Sequence, residues 1–167
     1  MNPMGLNRKP ANDCLPDGTF DTTPRAIVRG GACLIGGNNM FRNIKEVTTI
    51  LGDFANLTNG SGMFWGCNNA TRHACSLPKL TNGNNMFDHN DMMTSWDGTL
   101  PSLMTGTSMF DFCYNLRAES IINIIASLPT YTSGTHAIGF RHVLALTQAH
   151  IDAAAAKGWT VQGTPIS

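Results

Sequence analysis

LPKLTNGNNMFDHNDMM (Leu77–Met93) is followed by LPSLMTGTSMFDFCYNL (Leu100–Leu116), the same frame 23 residues further on. Met-Phe occurs at 40-41, 63-64, 86-87 and 109-110, so the spacing holds three times over. Six residues before each Met stands a leucine (Leu34, Leu57, Leu80, Leu103), and three before it a glycine (Gly37, Gly60, Gly83, Gly106). Four residues after it come Ile44, Cys67, Asn90 and Cys113, and seven after it Val47, Ala70, Met93 and Leu116. A period of this length is the signature of similar units stacked in a row, each burying side chains against the same phase of its neighbours.

The interior is therefore expected to hold the recurrent Leu, Met, Phe and Cys positions. Each recurring glycine marks a tight turn or a close approach of another group that a Cβ would block. Asn38, Asn39, Asn84 and Asn85 fall at a turn, where asparagine tolerates left-handed backbone. Pro78 and Pro101 end short strands without removing a needed ladder donor. Helix-only packing is disfavoured because Gly and Pro recur inside every unit. The expected fold is a β-rich repeat solenoid of about four to five 23-residue coils with a C-terminal capping helix.

The two quoted strings resemble the BspA-like, or Treponema pallidum type, leucine-rich repeats over residues 31 to about 140. That resemblance implies a curved leucine-rich repeat architecture and a role in binding proteins or other surface ligands; some such proteins are phage-encoded. Two departures stand out. Gly, Asn or Thr replaces the usual Ile near the recurring glycine, and Asn90 stands where Cys is usual.

Composition narrows the function. Eleven basic and eleven acidic residues cancel, and only 13% of the chain is charged, so no overall field favours nucleic acid or an anionic membrane. No apolar run follows the first basic residues, so neither a Sec signal nor a membrane anchor is expected. Five cysteines, at no zinc-like spacing, predict free buried thiols in a reducing compartment.

Three regions are expected: an N-terminal arm or cap over 1–30, the repeats over 31–140, and a capping helix with its tail over 141–167. The period breaks after Leu116, where AESIINIIASLP predicts a short helical insertion; Ile138 and Phe140 then take the Met-Phe place in a degenerate last unit. In LTQAHIDAAAAKGWTV, Thr147 caps a helix, Lys157 complements its C-terminal dipole and Gly158 follows its end. Ile151, Ala154, Ala155 and Trp159 form the face that closes the open end.

Little in the chain signals chemistry. GGNNMF lacks the lysine of a phosphate loop, and DHND (Asp88–Asp91) lacks the alternating ligands of a calcium loop. Cys67 and His73 are the pair to consider for nucleophilic catalysis, although Cys67 holds the repeat's small core position. No catalytic residue, cofactor or metal is expected. The candidates for a binding surface are Arg42, Trp65, Asp88 and Asp111, directly after each Met-Phe, with His73 and Trp96 from the longer loops; Trp65 and Trp96 could equally fill the core. The expectation is a non-enzymatic structural or interaction protein that binds a protein or a surface glycan. A virion-associated setting (phage tail or capsid appendage) is the leading one, and a cell-surface adhesin module the alternative. Residues 1–30 could dock a second copy or a virion neighbour.

Overall fold

The computed structural model describes residues 11–12 and 27–166. Short strands β1 (Ala11–Asn12), β2 (Ile27–Arg29), β3 (Thr49–Asp53), β4 (Arg72–Ser76) and β5 (Ser95–Trp96) form one sheet in sequence order. Every pairing is parallel. Helix α1 (Ala118–Ser127) follows, then β6 (His136–Gly139), α2 (Gln148–Ala155) and β7 (Trp159–Gln162), with β6 and β7 making a second parallel sheet.

The expected β-rich solenoid of four to five coils with a single capping helix is thus corrected to a small α/β domain: a parallel sheet, a two-stranded parallel sheet and two helices. The cause lies at β5. The Trp96 N–H donates to Ser120 Oγ of α1 at 3.1 Å, so a helix, not another strand, takes the place beside the sheet. The alternation of Ser120, Ile121, Ile124 and Ile125 on one side of α1 supplies the buried face that makes this replacement favourable.

The 23-residue spacing is expressed as register. Thr49 pairs with Arg72 and Arg72 with Ser95, each 23 positions on. Because parallel strands in register place equal phases side by side, Ile50, His73 and Trp96 form one row, and all three are fully buried. Phe41, Phe64, Phe87, Phe110 and Phe140 form another, their rings stacked with centroids 5.5, 5.7, 5.6 and 5.5 Å apart. Phe140 continues that row, and a parallel bridge joins Gly106 to Ile138.

Two other rows explain sequence features. Three of the four recurring glycines, Gly37, Gly60 and Gly83, sit on methionine sulfurs of the next unit: a Cβ on Gly60 would lie 2.9 Å from Met86 Sδ, and one on Gly83 2.9 Å from Met109 Sδ. Close approach, not a turn, is what requires them. Cys67 Sγ donates to Phe41 O at 3.0 Å and Cys113 Sγ to Phe87 O at 3.2 Å, and Asn90 Nδ2 makes the equivalent bond to Phe64 O at 2.8 Å. Asparagine at the cysteine position therefore keeps the row's one polar contact.

At the C-terminal end, Thr147 Oγ1 accepts from the His150 N–H and the Thr147 N–H donates to His150 Nδ1, a reciprocal cap with histidine in the part usually taken by Glu or Gln. Gly158 follows the helix with φ +81°. Ala154 and Trp159 are buried on its face as expected, Ile151 is half-buried, and Ala155 is exposed. Lys157 differs from expectation: its Nζ donates to Ile125 O and Ala126 O, so it satisfies the end of α1, not that of α2.

The thiol expectation needs one correction. Cys67, Cys75 and Cys113 are free and buried, but Cys33 is disulfide-bonded. Of the expected arm over 1–30, Ala11–Asn12 and Ile27–Arg29 belong to the sheet and the Gly30 N–H donates to Leu51 O, while residues 1–10 and 13–26 lie outside the described residues.

Candidate functional site

Three residues beyond each Met of the Met-Phe pairs stand Asn43, Gly66, His89 and Phe112, all in the left-handed region with φ of 60°, 70°, 57° and 59°. His142, two residues after Phe140, joins them at φ 61°. The backbone reverses at each of these positions, and the N–H of each reaches the next unit: Asn43 donates to Trp65 O at 2.7 Å, Gly66 to Asp88 O at 2.9 Å, His89 to Asp111 O at 3.0 Å and Phe112 to Arg141 O at 2.8 Å. A row of identical turns is the result. Non-glycine side chains there project outward because the reversed backbone turns Cβ away from the core.

Rings fill that outward row. His89 stacks on Phe112 at 4.2 Å and Phe112 on His142 at 4.6 Å, while Trp65 meets His89 at 5.2 Å in a tilted arrangement. The guanidinium of Arg42 lies 4.3 Å over the Trp65 ring, a cation–π contact that closes one end. Tyr114 meets Phe112 edge-on at 6.0 Å and is exposed. The outcome is a half-exposed aromatic ledge running across four units.

Two carboxylates brace it from behind. Asp88, 7% exposed, accepts from Trp65 Nε1 at 3.0 Å through one oxygen and faces His89 Nδ1 at 2.7 Å through the other. Asp111, 2% exposed, accepts from the Arg141 N–H at 2.8 Å and lies 3.6 Å from Arg141 Nε. Burial pushes the Asp111 carboxyl above its ordinary value, against the lowering effect of the Arg141 N–H, Ser108 and the Arg141 charge. The Asp88 bonds fix the orientation of the Trp65 and His89 rings, and the Asp111 bonds fix Arg141 beside His142, so the ledge is preorganised.

Four of the six expected surface residues gather here, but only Arg42 and Trp65 at the surface; Asp88 and Asp111 are buried behind the rings, which corrects their expected exposure. The other two do not. His73 and Trp96 are fully buried, a correction that follows from their register with Ile50: that phase of the parallel sheet points inward in every unit. His73 packs edge-on against Phe87 at 5.2 Å, and Trp96 meets Phe87 at 5.1 Å and Phe110 at 5.5 Å. Both His73 nitrogens and Trp96 Nε1 lack a hydrogen-bond partner. Sequence reasoning missed His89, Phe112 and His142. The detectable signal was the Asn43–Gly66 phase, whose residue types favour left-handed backbone and so mark an outward turn.

Cys67 Sγ donates to Phe41 O and neither His73 nitrogen has a hydrogen-bond partner, so the two are not joined as a nucleophile and its base. Burial pushes the Cys67 thiol up to about 12 and pulls the His73 imidazole down to about 4. Both shifts oppose the thiolate–imidazolium state that nucleophilic catalysis requires. Among the described residues no cluster of three or more His, Cys, Asp or Glu could hold a metal, and no helix is long and apolar enough to cross a membrane.

Two concavities are notable. One of about 330 Å³ is lined by Arg141, His142, Gly163, Thr164 and Ile166 at the end of the ledge. The other, about 340 Å³, is an apolar groove between α1 and α2 lined by Ile122, Ile125, Ala126, Ala149, Ala153 and their neighbours.

Comparisons with protein-family models, with curated proteins and with solved structures gave no match to this chain.

Proposed function

We propose that this protein is a non-enzymatic interaction protein that binds a glycan partner along the ledge formed by Trp65, His89 and Phe112. The observation that carries this reading is the row of half-exposed rings, of which Trp65 and His89 are held by the buried carboxylate of Asp88. Ring edges and faces spaced along a line suit the apolar C–H faces of successive sugars. The flanking Arg42 and Arg141 supply donors for hydroxyl groups. Preset geometry lowers the ordering cost that otherwise weakens a shallow site. Raised thiol values and a buried imidazole support the non-enzymatic part.

A glycan array probed with the full chain tests this. Binding to at least one glycan class, reduced tenfold or more by Trp65→Ala, supports the reading; binding insensitive to that change would remove it.

A protein partner is the second reading, favoured by the apolar α1–α2 groove, beside which Ile122 is 55% exposed. The virion-associated setting extends the proposal on the strength of low charge and an Asn/Thr/Gly-rich composition. Mass spectrometry of purified particles from the source tests it; absence of the chain there would favour the adhesin setting.

A further inference from the structure

We propose that the open end of the ledge, where Arg141, His142 and Thr164 line a cavity of about 330 Å³, binds the carboxylated ring of an acidic sugar. The inference rests on the glycan reading and assigns a chemical class to one subsite of it.

The argument begins with the ladder. Asn43, Gly66, His89 and Phe112 each donate their N–H to a carbonyl of the following unit. His142 has the same left-handed backbone, φ +61°, yet among the described residues its N–H has no acceptor. The next place in the row is therefore a site for an oxygen acceptor, presented by a backbone already fixed through Phe112 N–H to Arg141 O.

The rings reach the same point. Phe112 covers one face of His142, and the exposed imidazole borders the cavity, so a six-membered ring placed there would continue the stack. The volume falls within the range of about 300–1,000 Å³ typical of small-molecule sites.

Charge then selects among rings. Arg141 lies at the cavity with its side chain 52% exposed. Its Nε faces Asp111 at 3.6 Å, which anchors the guanidinium while leaving the terminal nitrogens for a ligand. A guanidinium beside a free N–H matches a carboxylate, since charge-assisted bonds to a planar fork are the strong ones. Thr164 adds a hydroxyl for a ring hydroxyl. A neutral sugar would use the stacking surface and leave the cation unpaired. A ring carrying a carboxylate uses both.

The test is a titration of the isotope-labelled full chain with D-glucuronate, D-glucose and benzoate, following the backbone amides of Arg141, His142 and Gly163. Glucuronate is expected to shift them saturably, with glucose at least tenfold weaker. Arg141→Gln should weaken glucuronate about tenfold, the scale of one charge-assisted bond. His142→Gly, which suits a positive φ, should abolish binding without disturbing the backbone. Equal responses to glucuronate and glucose, or no effect of Arg141→Gln, would overturn the proposal. Binding of benzoate without glucuronate would overturn the sugar assignment. If glucuronate fails while an array-positive glycan still moves the Trp65 indole, this subsite falls and the ledge stands; if neither responds, both fall.

Discussion

At the scale of single residues, the interior rows show how tightly identity is tied to phase. Asn90 reproduces the cysteine contact to the preceding unit, but its Oδ1 is buried without a partner. An unpaired buried oxygen costs about 1–3 kcal/mol. Asn90→Cys should therefore raise the midpoint of urea unfolding, whereas Asn90→Ala, which removes the Nδ2 bonds to Phe64 O and Phe87 O, should lower it. His73 gives a pH prediction. Its folded value of about 4 lies below the ordinary value of 6.5, because burial disfavours the charged ring. Between those values the unfolded chain binds the proton and the folded chain does not. The stability associated with a neutral His73 is thus complete above pH 6.5 and is lost as pH falls toward 4, by up to about 3 kcal/mol. Acid unfolding should flatten over that window in His73→Ile, which places in this row the residue its neighbour Ile50 already has. Burial also lowers His150, so the measurement is the difference between variant and parent.

At the scale of elements, the turns and caps carry the organisation. Gly66, at φ +70°, would bring a Cβ against Asn43 Oδ1, so Gly66→Ala combines left-handed strain with a clash. A loss of about 1–3 kcal/mol is expected in thermal or chemical unfolding. Thr147→Ala removes the reciprocal cap of α2 and should cost about 1 kcal/mol, seen in the same assay and as faster amide exchange in the first turn of α2. These elements also show what sequence could and could not convey. The Met-Phe spacing anticipated the buried phenylalanine row, and the Thr147 cap with its alanine run anticipated the helix that follows it. It did not anticipate that α1 would occupy the edge beside β5, because that depends on Ser120 reaching Trp96 N across 24 positions. The direction of Trp96 and His73 was equally hidden: a parallel strand inside a layered domain can bury residues of any polarity, and only its pairing with Ile50 fixes the inward side.

For the whole molecule, repetition of one backbone turn converts an inconspicuous sequence phase into a surface. Asn43 and Gly66 give way to His89, Phe112 and His142 along the row, so its C-terminal half presents rings where its N-terminal half presents backbone and Trp65. The carboxylates after Met-Phe were legible as a recurring phase, but their role was not. They act behind the rings, and only the bond from Trp65 to Asp88, spanning 23 positions, reveals it. The boundary at residue 30 also changes meaning: deletion of 1–30 would remove Ile27–Arg29 and uncover Ile50, so the truncated chain should lose stability in chemical unfolding.

The most direct test follows the three tryptophan indole N–H resonances during titration with an array-positive glycan. Trp65 lies half-exposed on the ledge, Trp96 is fully buried, and Trp159 is buried with Nε1 bonded to Pro129 O at 2.8 Å. Saturable movement of the Trp65 signal, with Trp96 and Trp159 unmoved, is the predicted result. A glycan that binds without moving Trp65, or that moves Trp159 instead, would contradict the ledge as the binding surface.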